Sequence, residues 1–184
     1  MSVDPMDYAR LREIAGLLSP VPGIGKIEIA DGAIVLTLPP VDRHESAVAH
    51  IARQLNTQLP RTHPGRIARA GADLEDAARG RRRTPDLVVC AEAASESAGP
   101  ALLPHEVLLV VEVVSAADPK TDHHDKVRDY AAMGIPLYLL VDPRKGTGIV
   151  HDEPGCTSRK EFAFGDTITV GPWTLDTGVL RTYA

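Results

Sequence analysis

The run Val107-Leu108-Leu109-Val110-Val111-Glu112-Val113-Val114 constrains this chain more than any other segment. It lacks the apolar-polar alternation of a strand with one face in water, so it predicts a central strand covered by helices on both faces. The run is too short to cross a bilayer. Downstream, residues 121 to 133 fit a helix with Thr121 or Asp122 as its cap and Gly134 then Pro136 as its stop. Leu137 to Val141 reads as a second buried strand, ended by Asp142-Pro143. Strand, helix, strand in succession implies a right-handed crossover between parallel strands. Glu112 is the exception inside the apolar run. A buried carboxylate costs several kcal/mol of solvation unless a cation or hydrogen bonds compensate, so its placement demands a partner.

Elements of both kinds surround this unit. Residues 7 to 18, with Tyr8, Leu11, Ile14, Ala15 and Leu18 recurring every three or four positions, predict an amphipathic outer helix closed by Pro20 and Pro22. Ile24 to Leu38, with the Asp31-Gly32 turn signal, predicts a hairpin or two short strands. Val48, Ile51, Ala52, Leu55 and Leu59 stripe a second helix from about His44 to Leu59, bounded by Pro60. Residues 67 to 74 are a candidate strand, 75 to 84 a charged connection, Asp86 to Cys90 a strand and 91 to 100 an exposed loop. Residues 148–151, 161–164 and 167–170 predict short strands that extend the sheet antiparallel. The class is α/β, or α+β by some schemes, with a mixed sheet. The chain of 184 residues predicts one domain over 7–184 after an N-terminal extension, 1–6.

Composition narrows the function classes. The hydrophobic fraction of 43% and charged fraction of 24% suit a soluble domain. The acidic start lacks the basic and then apolar segments of a secretory signal, so the expected compartment is the cytoplasm, with no membrane partner. Cys90 and Cys156 could pair in principle but form neither a disulfide framework nor a zinc cluster, and burial of Cys90 at a strand end suits a reducing compartment. The formal charge of -5 argues against a protein that coats nucleic acid, although an acidic catalytic site contributes to the same balance. Arg79, Arg81, Arg82 and Arg83 precede Asp86 and read either as a solvated loop or as a guide for a phosphate backbone.

Asp86 starts one predicted strand and Glu112 lies near the end of the next strong one. If those strands neighbour one another, both carboxylates reach one cleft. With a backbone carbonyl such as that of Val113 they would hold Mg²⁺ or Mn²⁺, which prefers oxygen ligands and retains several waters. Such a cation polarises a phosphoryl oxygen and lowers the pKa of an attacking water. The alternatives are a turn cap for Asp86 and an arginine partner for Glu112. Lys126 shares a helix face with Asp122, Asp129, Tyr130 and Met133, and either orients water or phosphate or pairs with Asp122. Glu28 is a third acidic candidate or a polar residue on a half-exposed strand. His44 reads as a capping or surface histidine rather than part of the cleft. His123 and His124 diverge on their helix and do not form a joint chelate. Ser115 lacks a histidine and acid in recognisable order and reads as a cap or a phosphate contact.

Five stretches together resemble a large bacterial family of restriction endonuclease-like proteins, formerly a domain of unknown function, within the PD-(D/E)XK nuclease superfamily. They are residues 27–32, Pro85-Asp86-Leu87-Val88-Val89, Val111-Glu112-Val113-Val114-Ser115, residues 122–130 around Lys126, and residues 134–143. The resemblance spans about residues 7 to 170. It implies a restriction-endonuclease-like fold, a mixed central sheet flanked by helices, and often a homodimer. It also implies Asp86 and Glu112 as metal ligands and Glu28 as a nearby acid. The superfamily's usual lysine two residues after the second carboxylate is replaced by Val114. In the resembling family the helix residue matching Lys126 takes that role, with Asp122 and Tyr130 at the site edge. The expected activity is metal-dependent hydrolysis of nucleic-acid phosphodiester bonds, with DNA the polymer by family analogy. The alternatives are a non-catalytic binding or scaffolding protein retaining the fold, and a hydrolase of a small phosphorylated molecule.

Overall fold

The central feature of the computed structural model is a mixed sheet whose two middle strands are the ones the apolar runs predict. It describes residues 4–18, 21–96, 101–116, 121–152, 155 and 157–183, with the side chains of 95, 96 and 121–123 left aside. Four helices, α1 (Pro5–Leu18), α2 (Asp42–Thr62), α3 (Glu92–Glu96) and α4 (Thr121–Ala132), alternate with twelve strands among these residues. The strands are β1 (Ile27–Ala30), β2 (Ala33–Leu36), β3 (Arg66–Ala70), β4 (Leu74–Asp76), β5 (Arg81–Arg83), β6 (Leu87–Ala91), β7 (Val107–Val113), β8 (Leu137–Asp142), β9 (Thr147–His151), β10 (Lys160–Ala163), β11 (Thr167–Val170) and β12 (Trp173–Asp176).

The main sheet has the order β10-β9-β8-β7-β6-β3. β7 and β8 are its parallel pair, joined through α4 as the crossover argument requires, and the other pairings are antiparallel. Strand alternation then divides the core. Leu87, Val89, Leu109, Val111, Val113, Leu139 and Val141 pack on one face with Ala47, Val48, Ile51, Leu55 and Leu59 of α2. Val88, Cys90, Val110, Val114, Tyr138 and Leu140 pack on the other with Tyr130 of α4 and Met133 just after it. A helix thus covers each face, which is why β7 needs no polar alternation.

A second sheet, β2-β1-β5-β4, lies beside the first. It corrects the expected charged connection: residues 81–83 form an interior strand between β1 and β4. Arg81, Arg82 and Arg83 therefore lie in a paired strand rather than a solvated loop, whereas Arg79 stays exposed in the turn before it. Arg83 is buried against Glu28 and Asp129, Arg81 pairs with Asp31 and Asp129, Arg82 with Asp73, and Arg79 with Asp76. The acids that compensate them lie far away in sequence, except Asp73 and Asp76.

Three further expectations need adjustment. α2 runs through Pro60 to Thr62, because proline in the last turn removes only one late backbone donor. β9 and β10 extend the main sheet, whereas β11 pairs with β12 as a separate ribbon. That ribbon clamps α2: the side-chain amides of Gln54 and Gln58 each donate to and accept from the backbone of Asp176 and Thr174 respectively, and the buried Trp173 donates its indole N–H to Thr62 Oγ1 at 2.9 Å. Residues 92–96 are helical rather than loop. Cys90 is a buried free thiol, and Cys156 lies outside the described residues. No helix among the described residues is long and apolar enough to cross a membrane.

Candidate active site

The antiparallel register of β6 and β7 pairs Leu87 with Val111, which brings Asp86, one residue before β6, beside Glu112 and Val113. The Val113 N–H donates to Asp86 Oδ2 at 2.7 Å, fixing the carboxylate across the strand ends. Glu112 points to the α4 side of the sheet. There Lys126 donates to its Oε2 at 3.0 Å and the Tyr130 hydroxyl to its Oε1 at 2.6 Å. The partner that a buried carboxylate demands is therefore supplied from α4, one helical turn separating its two donors. Val114, in the position of the absent superfamily lysine, is buried in the core beside Tyr130.

Glu28 arrives from β1 and is buried below this group. Its Oε2 accepts from Arg83 at 2.8 Å, its Oε1 accepts from the Thr84 N–H at 2.9 Å, and Lys126 Nζ lies 3.9 Å away. Burial alone would raise its pKa, but Lys126, Arg83 and the Thr84 N–H outweigh that and hold it below the ordinary value. Arg83 also grips Asp129 of α4 through Nε at 3.0 Å and Nη2 at 2.5 Å. One guanidinium thus ties β1 to α4 and sets the separation of Glu28 and Lys126.

Two residues join the site that sequence reasoning either missed or assigned elsewhere. His44 is buried in the first turn of α2, not a surface or capping residue. Its Nε2 lies 3.1 Å from both Asp86 Oδ2 and the Val113 carbonyl oxygen, two acceptors, so Nε2 carries the proton. Its position four residues before Val48 on the apolar stripe was the available signal. Lys26 immediately precedes β1, and strand alternation puts it on the face of Glu28. Its ammonium donates to Asp86 Oδ1 at 2.5 Å and lies 3.7 Å from Glu112 Oε2.

The electrostatics follow from this packing. Burial works against ionisation of Asp86, yet Lys26 and the His44 hydrogen bond prevail and hold its carboxyl well below the usual range. Burial likewise opposes the charge on Lys26, but Glu112 and Asp86 overcome it and raise its pKa above the ordinary lysine value. Burial and the adjacent Glu112 push the Tyr130 hydroxyl far up, so it remains a donor.

Asp86, Glu112, Glu28, Lys26, His44 and Lys126 line the wall of one cleft of about 210 Å³, together with Val35 to Leu38. Ser115 also reaches this wall, whereas the side chains of Asp122 and His123 lie outside the described residues and His124 is exposed. Among the described residues no set of three or more His, Cys, Asp or Glu side chains forms a ready-made chelate. The oxygen donors nearest one another are the Asp86 and Glu112 carboxylates and the Val113 carbonyl, whereas the Glu28 carboxylate is engaged by Arg83 and the Thr84 N–H. Oxygen donors of this kind suit a hard cation that keeps waters, and here the Lys26 ammonium lies 2.5 Å from Asp86 Oδ1 and 3.7 Å from Glu112 Oε2.

Comparison with known proteins agrees with this architecture. The crystal structure of a putative nuclease belonging to DUF820, from Anabaena variabilis ATCC 29413, superposes with a TM-score of 0.68 at 15% identity, covering 90% of this chain and 96% of that one. At that identity the likeness speaks for the fold. None of the curated proteins compared matches the chain. The profile of the Uma2 family, described as putative restriction endonuclease, matches residues 11–176, and the chain therefore belongs to that family.

Proposed function

We propose that the protein hydrolyses phosphodiester bonds of nucleic acid, DNA in the first instance, with Mg²⁺ or Mn²⁺ held by Asp86, Glu112 and the Val113 carbonyl. The observation that carries this reading is the convergence of Asp86, Glu112 and Lys126 on one cleft from two strands and a helix. A bound divalent cation would supply polarisation of the phosphoryl oxygen and a more acidic water. The chain's own residues do the rest. His44 and the Val113 N–H immobilise Asp86 Oδ2, leaving Oδ1 to face the cation position. Tyr130 and Lys126 fix Glu112, and the Lys126 ammonium opposes negative charge that develops on the phosphate. Glu28 serves beneath them as the acid that positions Lys126. Action as a homodimer belongs to the same proposal.

The rival is a non-catalytic protein that retains the fold, and the Lys26 ion pair with Asp86 favours it, because a salt-bridged basin is what an inactive site would contain. Cleavage of single- and double-stranded DNA and RNA with Mg²⁺ or Mn²⁺ separates the two. Intact protein should cut, while Asp86→Asn and Lys126→Gln should not. Absence of cleavage by intact protein on every substrate supports the rival; equal cleavage by all three places the chemistry elsewhere.

A further inference from the structure

Lys26 is built to stand between the two carboxylates. Its backbone is fixed at both ends, since its N–H donates to Thr37 Oγ1 at 3.0 Å and its carbonyl accepts from the Thr37 N–H at 3.0 Å. The preceding Gly25 lets the chain cross Leu38 closely, because a Cβ there would lie 2.5 Å from the Leu38 carbonyl oxygen. The stem therefore starts from a set point and leads its ammonium to Asp86 Oδ1 and towards Glu112 Oε2. Lys126 differs: it is held from below by Glu28 and Glu112 and its side chain is 6% exposed, against 22% for Lys26. Lys26 is the lysine with a route into open cleft.

We infer that Lys26 is a resident counter-ion that competes with a divalent cation for the Asp86–Glu112 pair, so that metal loading requires its ammonium to move out along the cleft. The inference rests on the metal-site reading above. Two carboxylates this close repel one another unless a cation lies between them, and the chain provides its own. A divalent ion on this pair would seek Asp86 Oδ1, which the Lys26 ammonium bonds at 2.5 Å, and Glu112 Oε2, which Lys26 approaches at 3.7 Å while Lys126 bonds it at 3.0 Å. Intrinsic metal affinity is then reduced by the fraction of molecules in which the pair is free. A salt bridge whose chief role is to hold the acids in place would instead leave metal binding unchanged or weaker when lost, because disorder of the acids would offset the removed positive charge.

The test is titration of intact protein, Lys26→Met and the double variant Lys26→Met/Asp86→Asn with Mn²⁺ alone, read by calorimetry without nucleic acid. Lys26→Met should bind Mn²⁺ about tenfold more tightly, the gain expected if the ammonium leaves the pair open about a tenth of the time. The double variant should lose that binding. Thermal melts give an independent signature: without metal Lys26→Met should melt below intact protein, and saturating Mn²⁺ should raise its midpoint more than that of intact protein. Asp86-dependent affinity that is equal or weaker in Lys26→Met overturns the competition and leaves the metal site standing. Absence of Asp86-dependent binding in every variant overturns the metal site and the competition together.

Discussion

Replacing Arg83 with methionine removes the guanidinium that Glu28 and Asp129 share while conserving much of its volume. Arg83, Glu28 and Asp129 are each no more than 1% exposed, so water cannot take over the lost bonds. Breaking a buried ion pair from one side costs about 3–5 kcal/mol. The lower end applies here, because Glu28 keeps the Thr84 N–H and the nearby Lys126, and Asp129 keeps Arg81. For a chain of this length about 3 kcal/mol corresponds to a fall in Tm of roughly 6–12 °C. Calorimetry or circular dichroism at neutral pH reads that shift. Adding Asp129→Asn should recover part of it, since the second change removes a buried charge that has lost its partner. A single variant melting within about 2 °C of intact protein, or a double variant no better than the single, would refute the view that this guanidinium ties β1 to α4.

Three further outcomes are expected. Glu28 and Asp86 have folded pKa values below their unfolded ones, so the stability they contribute is present above the ordinary carboxylate pKa of about 4 and is lost as pH falls through the depressed values. Melts of intact protein should therefore decline steeply under acid while Glu28→Gln, weaker at neutral pH, declines less; parallel profiles would contradict this. Gly148→Ala should cost about 1–3 kcal/mol in a urea titration, because the new Cβ would strike the Phe162 ring and lie 2.5 Å from the Leu140 carbonyl oxygen. Gly16→Ala, in α1 with open space around it, should instead stabilise by about 0.5–1 kcal/mol, and the same sign for both would refute the packing argument.

The parts of the molecule legible in the sequence are those whose signal is local. The apolar run of β7, the Gly134–Pro136 stop and the strand after it prescribe the parallel pair and its crossover, and the chain folds that way. Asp86, Glu112 and Lys126 were legible because each interrupts or follows a pattern. β5 was not, since three consecutive arginines resemble a solvated turn until Glu28, Asp31 and Asp129 are brought to them from distant positions. β12 is a four-residue strand after Gly171-Pro172, too short for alternation to declare itself. Lys26 and His44 lay on the right faces by strand and helix periodicity, but a polar residue at an element's start is ordinarily exposed. Only the convergence of β1, α2 and β6 makes these two exceptions.

Helix α2 has a consequence for how this protein can be watched. It carries His44 in its first turn and Thr62 in its last, 21 residues that span roughly 30 Å. The chain contains one tryptophan, Trp173, sealed against that last turn by its bond to Thr62. The indole is thus a gauge at the far end of a lever whose near end touches Asp86. A ligand that merely fills the cleft will leave the emission unchanged, whereas one that tilts the lever will shift it, and intrinsic fluorescence will tell the two apart without a label.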